Sequence, residues 1–245
     1  MRVIIWPASD DASAWYRLKF PASALAAQGF DVTVDQTGPR VLWDMNWSHL
    51  SEPPYEARVV GLEMRPDADV VVINRPARAH WAETIPHLQA SGVRVVVDVD
   101  DDFAAIPIGN SARKPYSQPR YSGKWLERAC LLADLVTCST PDLARRYAPH
   151  GRVAVLPNLV PATYLDVVAD RPDRMIGWSG SVSTHPGDLE TTSDAMRDAL
   201  AGHHDWSVHV VGTGKGVAKR LRVPESLVSN TGCWLPFSDY PQAQA

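Results

Sequence analysis

The sequence predicts an α/β chain: one complete parallel-sheet domain covered by helices on both faces, followed by the opening of a second. Three observations predict it. Apolar runs of four to six residues, rich in Val and Ile, alternate with segments of helical period. That is the pattern of strands buried on both sides by crossover helices. After residue 165 the pattern restarts with Met175-Ile176-Gly177-Trp178, and it stops at Ala245 after one more helix and one more strand. The expected domains are 1–165 and a truncated 166–245, with residues 161–174 as the connection.

In chain order, strands are expected at 2–6, 31–35, 69–73, 93–99, 134–138 and 152–156. The helix from Ser13 to Gln28 should end at Gly29, a natural C-terminal cap, with Pro21 kinking or restarting it. Helical period returns from His80 to Ala90 and from Lys124 to Ala133, where Trp125, Leu126, Ala129 and Leu132 share one side. Thr140-Pro141-Asp142 is a helix start: a capping hydroxyl, a proline at the first position, an acid against the dipole. Residues 107–123 form a long aperiodic loop rich in Pro, Ser, Gly and Tyr, a kind that is usually functional. In the second domain a strand leads through Ser179-Gly180-Ser181 to a helix opening near Gly187-Asp188, then to a strand over residues 206–212.

Composition bounds the function. At 245 residues with 45% hydrophobic and 21% charged content, the chain reads as a soluble globular protein with a sizeable core. A net charge of −4 argues against stable nucleic-acid binding, which needs a basic face. Cys130, Cys138 and Cys233 lack metal spacing and fit reduced thiols in a cytosolic protein. Neither a signal peptide nor a membrane-spanning run is legible, so a cytoplasmic location is expected, with contact at a membrane surface at most.

Ligands of an open parallel sheet bind beyond the carboxyl ends of its strands. Those ends read Pro7 to Asp10, Asn74-Arg75, Asp98 to Asp102, Ser139-Thr140 and Pro157-Asn158. Four carboxylates within Asp98-Val99-Asp100-Asp101-Asp102 repel one another, so something should repay that cost. One of Asp98, Asp100 and Asp101 could act on a substrate hydroxyl, the run could bind a cation, or it could be a plain turn into a helix. On the first helix Tyr16 and Arg17 face the same edge; Arg17 could hold an oxyanion or could simply be solvated. After the first strand of the second domain, Ser179, Gly180, Ser181 and His185 form a small-residue loop before a helix, suited to phosphate or to a bland connection. Gly212-Thr213-Gly214-Lys215-Gly216 fails both the dinucleotide and the P-loop patterns, because Val217 and Gly216 stand where those need other residues. Gly212 then serves a close backbone approach, with Lys215 free to reach phosphate.

Taken in order, these pieces resemble the GT-B glycosyltransferases of the large retaining type. The matching segments are Trp15 to Leu18 with Pro21, Asp98 to Asp102, Ala133 to Pro141, Val155 to Asn158, Ile176 to Ser181, Val210 to Gly212, and Leu235 to Tyr240. The resemblance implies two Rossmann-like domains, the first complete and the second partial. It implies a nucleotide-sugar donor, an unidentified acceptor, and no cofactor or required metal. Asp98, Asp100 and Asp101 would be catalytic, with Arg17, Tyr16 and Asp102 on the acceptor side. Ser179, Gly180, Ser181, His185, Gly212 and Lys215 would hold the donor phosphates, and Trp234, Leu235 and Phe237 the base. The sequence departs from the family in two ways: the usual Arg and Lys after the first strand of the second domain are Ser, Thr and His185, and the Glu-x7-Glu pair is absent. The alternatives are an inactive remnant that binds acceptor or a partner, and a metal-dependent Asp-x-Asp transferase. A partial second sheet would also expose an edge that invites self-association.

Overall fold

The computed structural model describes residues 1–44, 58–103, 105–113, 123–167, 174–213 and 215–232. The chain divides into two compact units, residues 1–106 with 114–160, and residues 107–113 with 161–245. Both are α/β, each built on a parallel sheet.

The first unit holds six parallel strands: β1 Arg2–Trp6, β2 Asp31–Val34, β5 Val70–Asn74, β6 Arg94–Val99, β7 Leu135–Cys138 and β8 Val153–Val155. They lie in the order β2-β1-β5-β6-β7-β8, so the direction of winding reverses between β1 and β5. The crevice at such a reversal is where parallel α/β sheets take ligands. Both faces are covered. Ile73, Val95, Val97 and Val99 pack with Ile85, Leu88, Leu126 and Ala129 in one cluster, and Val3 and Ile5 pack with Ala14, Leu18 and Ala22 in another. Burial on two sides explains why these strands read as continuous apolar runs. A short antiparallel ribbon, β3 Val41–Trp43 with β4 Val59–Leu62, was not legible from the sequence. Its three- and four-residue strands are too short to show a period.

The first helix is built in three pieces: α1 Ala12–Ala14, a π-helical stretch Trp15–Lys19, and α2 Phe20–Ala27. Pro21 causes the break. It has no N–H to donate, and its ring would collide with the carbonyl four residues back. The chain widens by one residue ahead of it, and the Phe20 amide donates to the Trp15 carbonyl. π turns of this kind recur at functional sites. Helix α3, Ala79–Ala90, runs through an interior proline, Pro86, while the Thr84 hydroxyl donates to the His80 carbonyl at 2.6 Å. Helix α4 is Gly123–Leu132, and α5, Pro141–Tyr147, opens on the expected cap, with the Leu143 amide donating to the Thr140 hydroxyl at 3.2 Å.

The second unit runs β9 Met175–Ser181, α6 Asp188–Gly202, β10 Ser207–Thr213, α7 Val217–Leu221 and β11 Val228–Asn230. Its strands are parallel in the order β11-β10-β9, and Val208, Val210, Leu189, Leu200 and Leu221 form its core. Helix α7 and strand β11 were not expected, because five and three residues carry too little periodicity to read. Among the described residues no helix is long and apolar enough to cross a membrane.

Candidate functional site

Strand β6 delivers Asp98 and Asp100 to the carboxyl edge of the first sheet, and their environments diverge completely. Asp98 is 1% exposed and Arg17 3%. The Arg17 fork grips Asp98, with Nη2 donating to Oδ1 at 2.5 Å and Nε to Oδ2 at 3.2 Å. Thr137 Oγ1 donates to Asp98 Oδ1 at 2.7 Å, and Asn74 Nδ2 donates to Oδ2 at 3.2 Å. The remaining Arg17 nitrogen donates to the Leu156 carbonyl and to Asn158 Oδ1 at 3.2 Å. The network ties the π-helical stretch, β5, β6, β7 and the end of β8 together. A carboxylate with that many donors, and a guanidinium with no remaining reach, hold a scaffold rather than a ligand.

Asp100 differs. Its side chain is 9% exposed, yet Oδ1 is buried with no hydrogen-bond partner and lies 3.8 Å from Arg75 Nε, beyond bonding length. Burial pushes its carboxyl above the usual range; Arg75 and the Ser13 hydroxyl pull it back, while the Asp98 charge adds to the rise. Arg75 stands at the end of β5 and spans the sheet reversal. Its Nη2 donates to Ser9 Oγ at 2.6 Å and to Asp11 Oδ2 at 2.9 Å, and its Nε to Asn74 Oδ1 at 3.2 Å. Its backbone sits at φ 48°, a left-handed conformation rare outside glycine, while its amide donates to the Asp98 carbonyl at 2.9 Å. Strain of this sort persists only where surroundings enforce it, and it clusters at functional sites. Strand-end position was the only signal for Arg75; its reach to Asp11 and Ser9 spans more than sixty residues of chain and was invisible in sequence.

Asp101 is exposed, and its Oδ1 accepts from the Asp102 amide at 3.0 Å. Asp102 lies 3.5 Å from Arg146 Nε, on the side of α5. Tyr16 packs edge-on to Phe20 at 6.1 Å, and burial raises its phenol.

In the second unit the loop after β9 is shaped by glycines. Gly180 (φ 156°) and Gly212 (φ 141°) face each other across β9 and β10, where a Cβ on Gly212 would overlap the Gly180 carbonyl oxygen. Gly187 (φ 95°) caps α6. His185 Nδ1 lies 3.0 Å from the Ser181 carbonyl and 3.1 Å from Thr184 Oγ1, with its ring edge-on to Trp178 at 6.3 Å. Ser181 is buried and shares a hydroxyl contact with Ser183 at 2.9 Å. Residues 107–113 belong to this unit and brace the loop: the Ser111 amide donates to the Ser183 carbonyl at 2.9 Å, and Asn110 Nδ2 to the Thr184 carbonyl at 2.8 Å. Ser179 is exposed within β9, and Lys215 is exposed just before α7. Trp234, Leu235 and Phe237 lie outside the described residues.

Among the described residues no group of three or more His, Cys, Asp and Glu side chains is arranged to hold a metal ion. A cavity of about 240 Å³ lies along α3 and α4, lined by Arg58, Glu83, His87, Trp125 and Arg128 among others; none of its lining belongs to the strand-end cluster. Convergent polar groups, not cavity volume, single out the strand ends.

No family model matches the chain, and no curated protein matches it. Among solved structures it is similar to one described as a UDP-N-acetylglucosamine 2-epimerase from Listeria monocytogenes. The identity is 9%, the coverage 96% of this chain and 70% of that one, and the TM-score 0.47. At that identity and score the likeness extends to general chain course and no further.

Proposed function

We propose that this chain is a glycosyltransferase of GT-B type, moving a sugar from a nucleotide-sugar donor to an acceptor hydroxyl without a bound metal. The observation that carries the reading is the glycine-shaped end of β9 and β10. There Gly180 and Gly212 bring backbone close together, and the loop Ser181 to Gly187 leads into the fifteen-residue helix α6. Backbone amides at such a helix start favour the negative charge of a diphosphate, and Lys215 and His185 can add donors. The ordered motifs that resemble the family support the same reading.

In the reaction the acceptor oxygen forms a bond to the anomeric carbon as that carbon's bond to the diphosphate oxygen breaks. Asp100 takes the acceptor proton, for which its unpartnered oxygen and raised pKa suit it. Arg75 orients Asp100, and Asp98 with Arg17 fixes the strand that presents it.

Calorimetric titration of the full chain with UDP, GDP and their sugars tests this. Binding of one nucleotide series is expected, weakened about tenfold, or ~1.4 kcal/mol, in Lys215→Ala or His185→Ala. A chain that binds none of them would sink the proposal.

A further inference from the structure

The first unit's strand ends carry information about the acceptor that the donor loop does not. Their surroundings are acidic: Asp10, Asp11, Asp100, Asp101 and Asp102 gather at the ends of β1 and β6. The cations beside them are committed. Lys19 pairs with Asp10, Arg75 with Asp11 and Asp100, and Arg146 with Asp102 and Glu127. Arg17, which the sequence suggested for an oxyanion, is closed off against Asp98 and the end of β8. Within this acidic surround one oxygen accepts no hydrogen bond: Asp100 Oδ1, 3.8 Å from Arg75 Nε and on a side chain that is nine-tenths buried. A buried acceptor without a hydrogen-bond partner is destabilising, so a ligand that supplies a donor recovers that cost on binding.

We infer that Asp100 Oδ1 receives a hydroxyl or ammonium group of an unphosphorylated polyol or amino polyol, and that this edge rejects phosphorylated ligands. The inference rests on reading these strand ends as the acceptor side. An incoming phosphate would meet surplus carboxylates and find the Arg17 and Arg75 forks already spent on Asp98, Asp11 and Ser9. A hydroxyl or ammonium meets the opposite situation, an oxygen waiting for a proton donor. Like-charge contact of this kind discriminates by exclusion as much as by attraction.

Saturation-transfer NMR on the full chain suits the weak binding expected of single sugars. The probes are glucose, mannose, galactose and glucosamine, set against glucose 6-phosphate and mannose 6-phosphate. Transfer is expected to at least one unphosphorylated sugar and at least tenfold less to its 6-phosphate at low salt. In Asp100→Ala the transfer should fall about tenfold, with Asp67→Asn, at the opposite end of β5, unchanged. A folded Asp100→Asn, checked by thermal unfolding, should lose part of the signal even if the alanine variant does not fold. Equal or better transfer to a 6-phosphate overturns the inference, as does silence from every unphosphorylated sugar or an unaffected Asp100→Asn. UDP and GDP titration of the same preparation reports separately on the donor loop, so one reading can fail while the other stands.

Discussion

The two units end their strands by different physics. In the first, the strand ends are knit by charged side chains: Arg17 to Asp98, Arg75 to Asp11, Lys19 to Asp10. In the second they are shaped by backbone, through Gly180, Gly187 and Gly212, with hydroxyls filling in at Ser181, Ser183 and Thr184. The difference teaches what each edge suits. A charged lattice places one carboxylate accurately, whereas glycine-lined backbone lets two neighbouring strands approach closely. The same contrast predicts that the units respond to different insults.

The largest effect should come from breaking the first unit's buried ion pair. Asp98→Ala leaves Arg17 charged and buried without its partner, at an expected loss of about 3–5 kcal/mol in urea unfolding. A pair replaced together, Arg17→Met with Asp98→Leu, should recover much of that loss. Equal loss in both variants would show that the hydrogen bonds to Asn74, Thr137 and Leu156 matter more than the charge. In the second unit the corresponding break is steric. Gly212→Ala should cost about 1–3 kcal/mol by forcing β9 and β10 apart, and it should abolish nucleotide binding without altering the first unit's unfolding. Hydrogen exchange resolved by segment would separate the two.

Acid should test the first unit further. His80 lies between Trp43, at 5.5 Å, and Trp81, at 6.3 Å, and burial, with the Arg78 charge, lowers its pKa to about 4. A native pKa below the unfolded value means the unfolded chain binds more protons between them. The contribution is therefore complete above pH 6.5 and is lost as pH falls toward 4. Discounted for its partial exposure, it should amount to about 1–2 kcal/mol. Comparing urea midpoints of the native chain and His80→Phe at pH 7 and pH 5 measures it; a pH-independent difference would refute it.

Asp100 gives the smallest effect on stability and carries the opposite sign. Its raised pKa means that the ionised form is disfavoured in the fold, so its contribution is favourable below the unfolded carboxyl pKa and is lost as pH rises through the native value. Asp100→Asn should therefore stabilise the chain modestly at pH 7 and not at all near pH 3, while removing turnover. Destabilisation at pH 7 would mean that the carboxylate has a partner in solution.

Much of the fold was legible because its signals are local. Six expected strands form the first sheet, the Thr140 cap holds, and Pro21 marks the break in the first helix. The ribbon β3–β4, helix α7 and strand β11 were not legible, being shorter than the periods that would announce them. Within the site, the strand ends and the glycine loop could be read as positions. The roles could not, since Asp98 and Asp100 are two residues apart in one run of acids.

The sequence by itself determined the α/β architecture, because strand and helix periods depend on neighbours a few residues away and on which faces are apolar. Tertiary structure decided what each polar group does. Arg17 lies 81 residues from Asp98, and only folding brings its fork onto one carboxylate and leaves the next with an open oxygen. Hydrogen-bond satisfaction is a property of a buried neighbourhood rather than of a residue type, and that neighbourhood is assembled from strands distant in sequence.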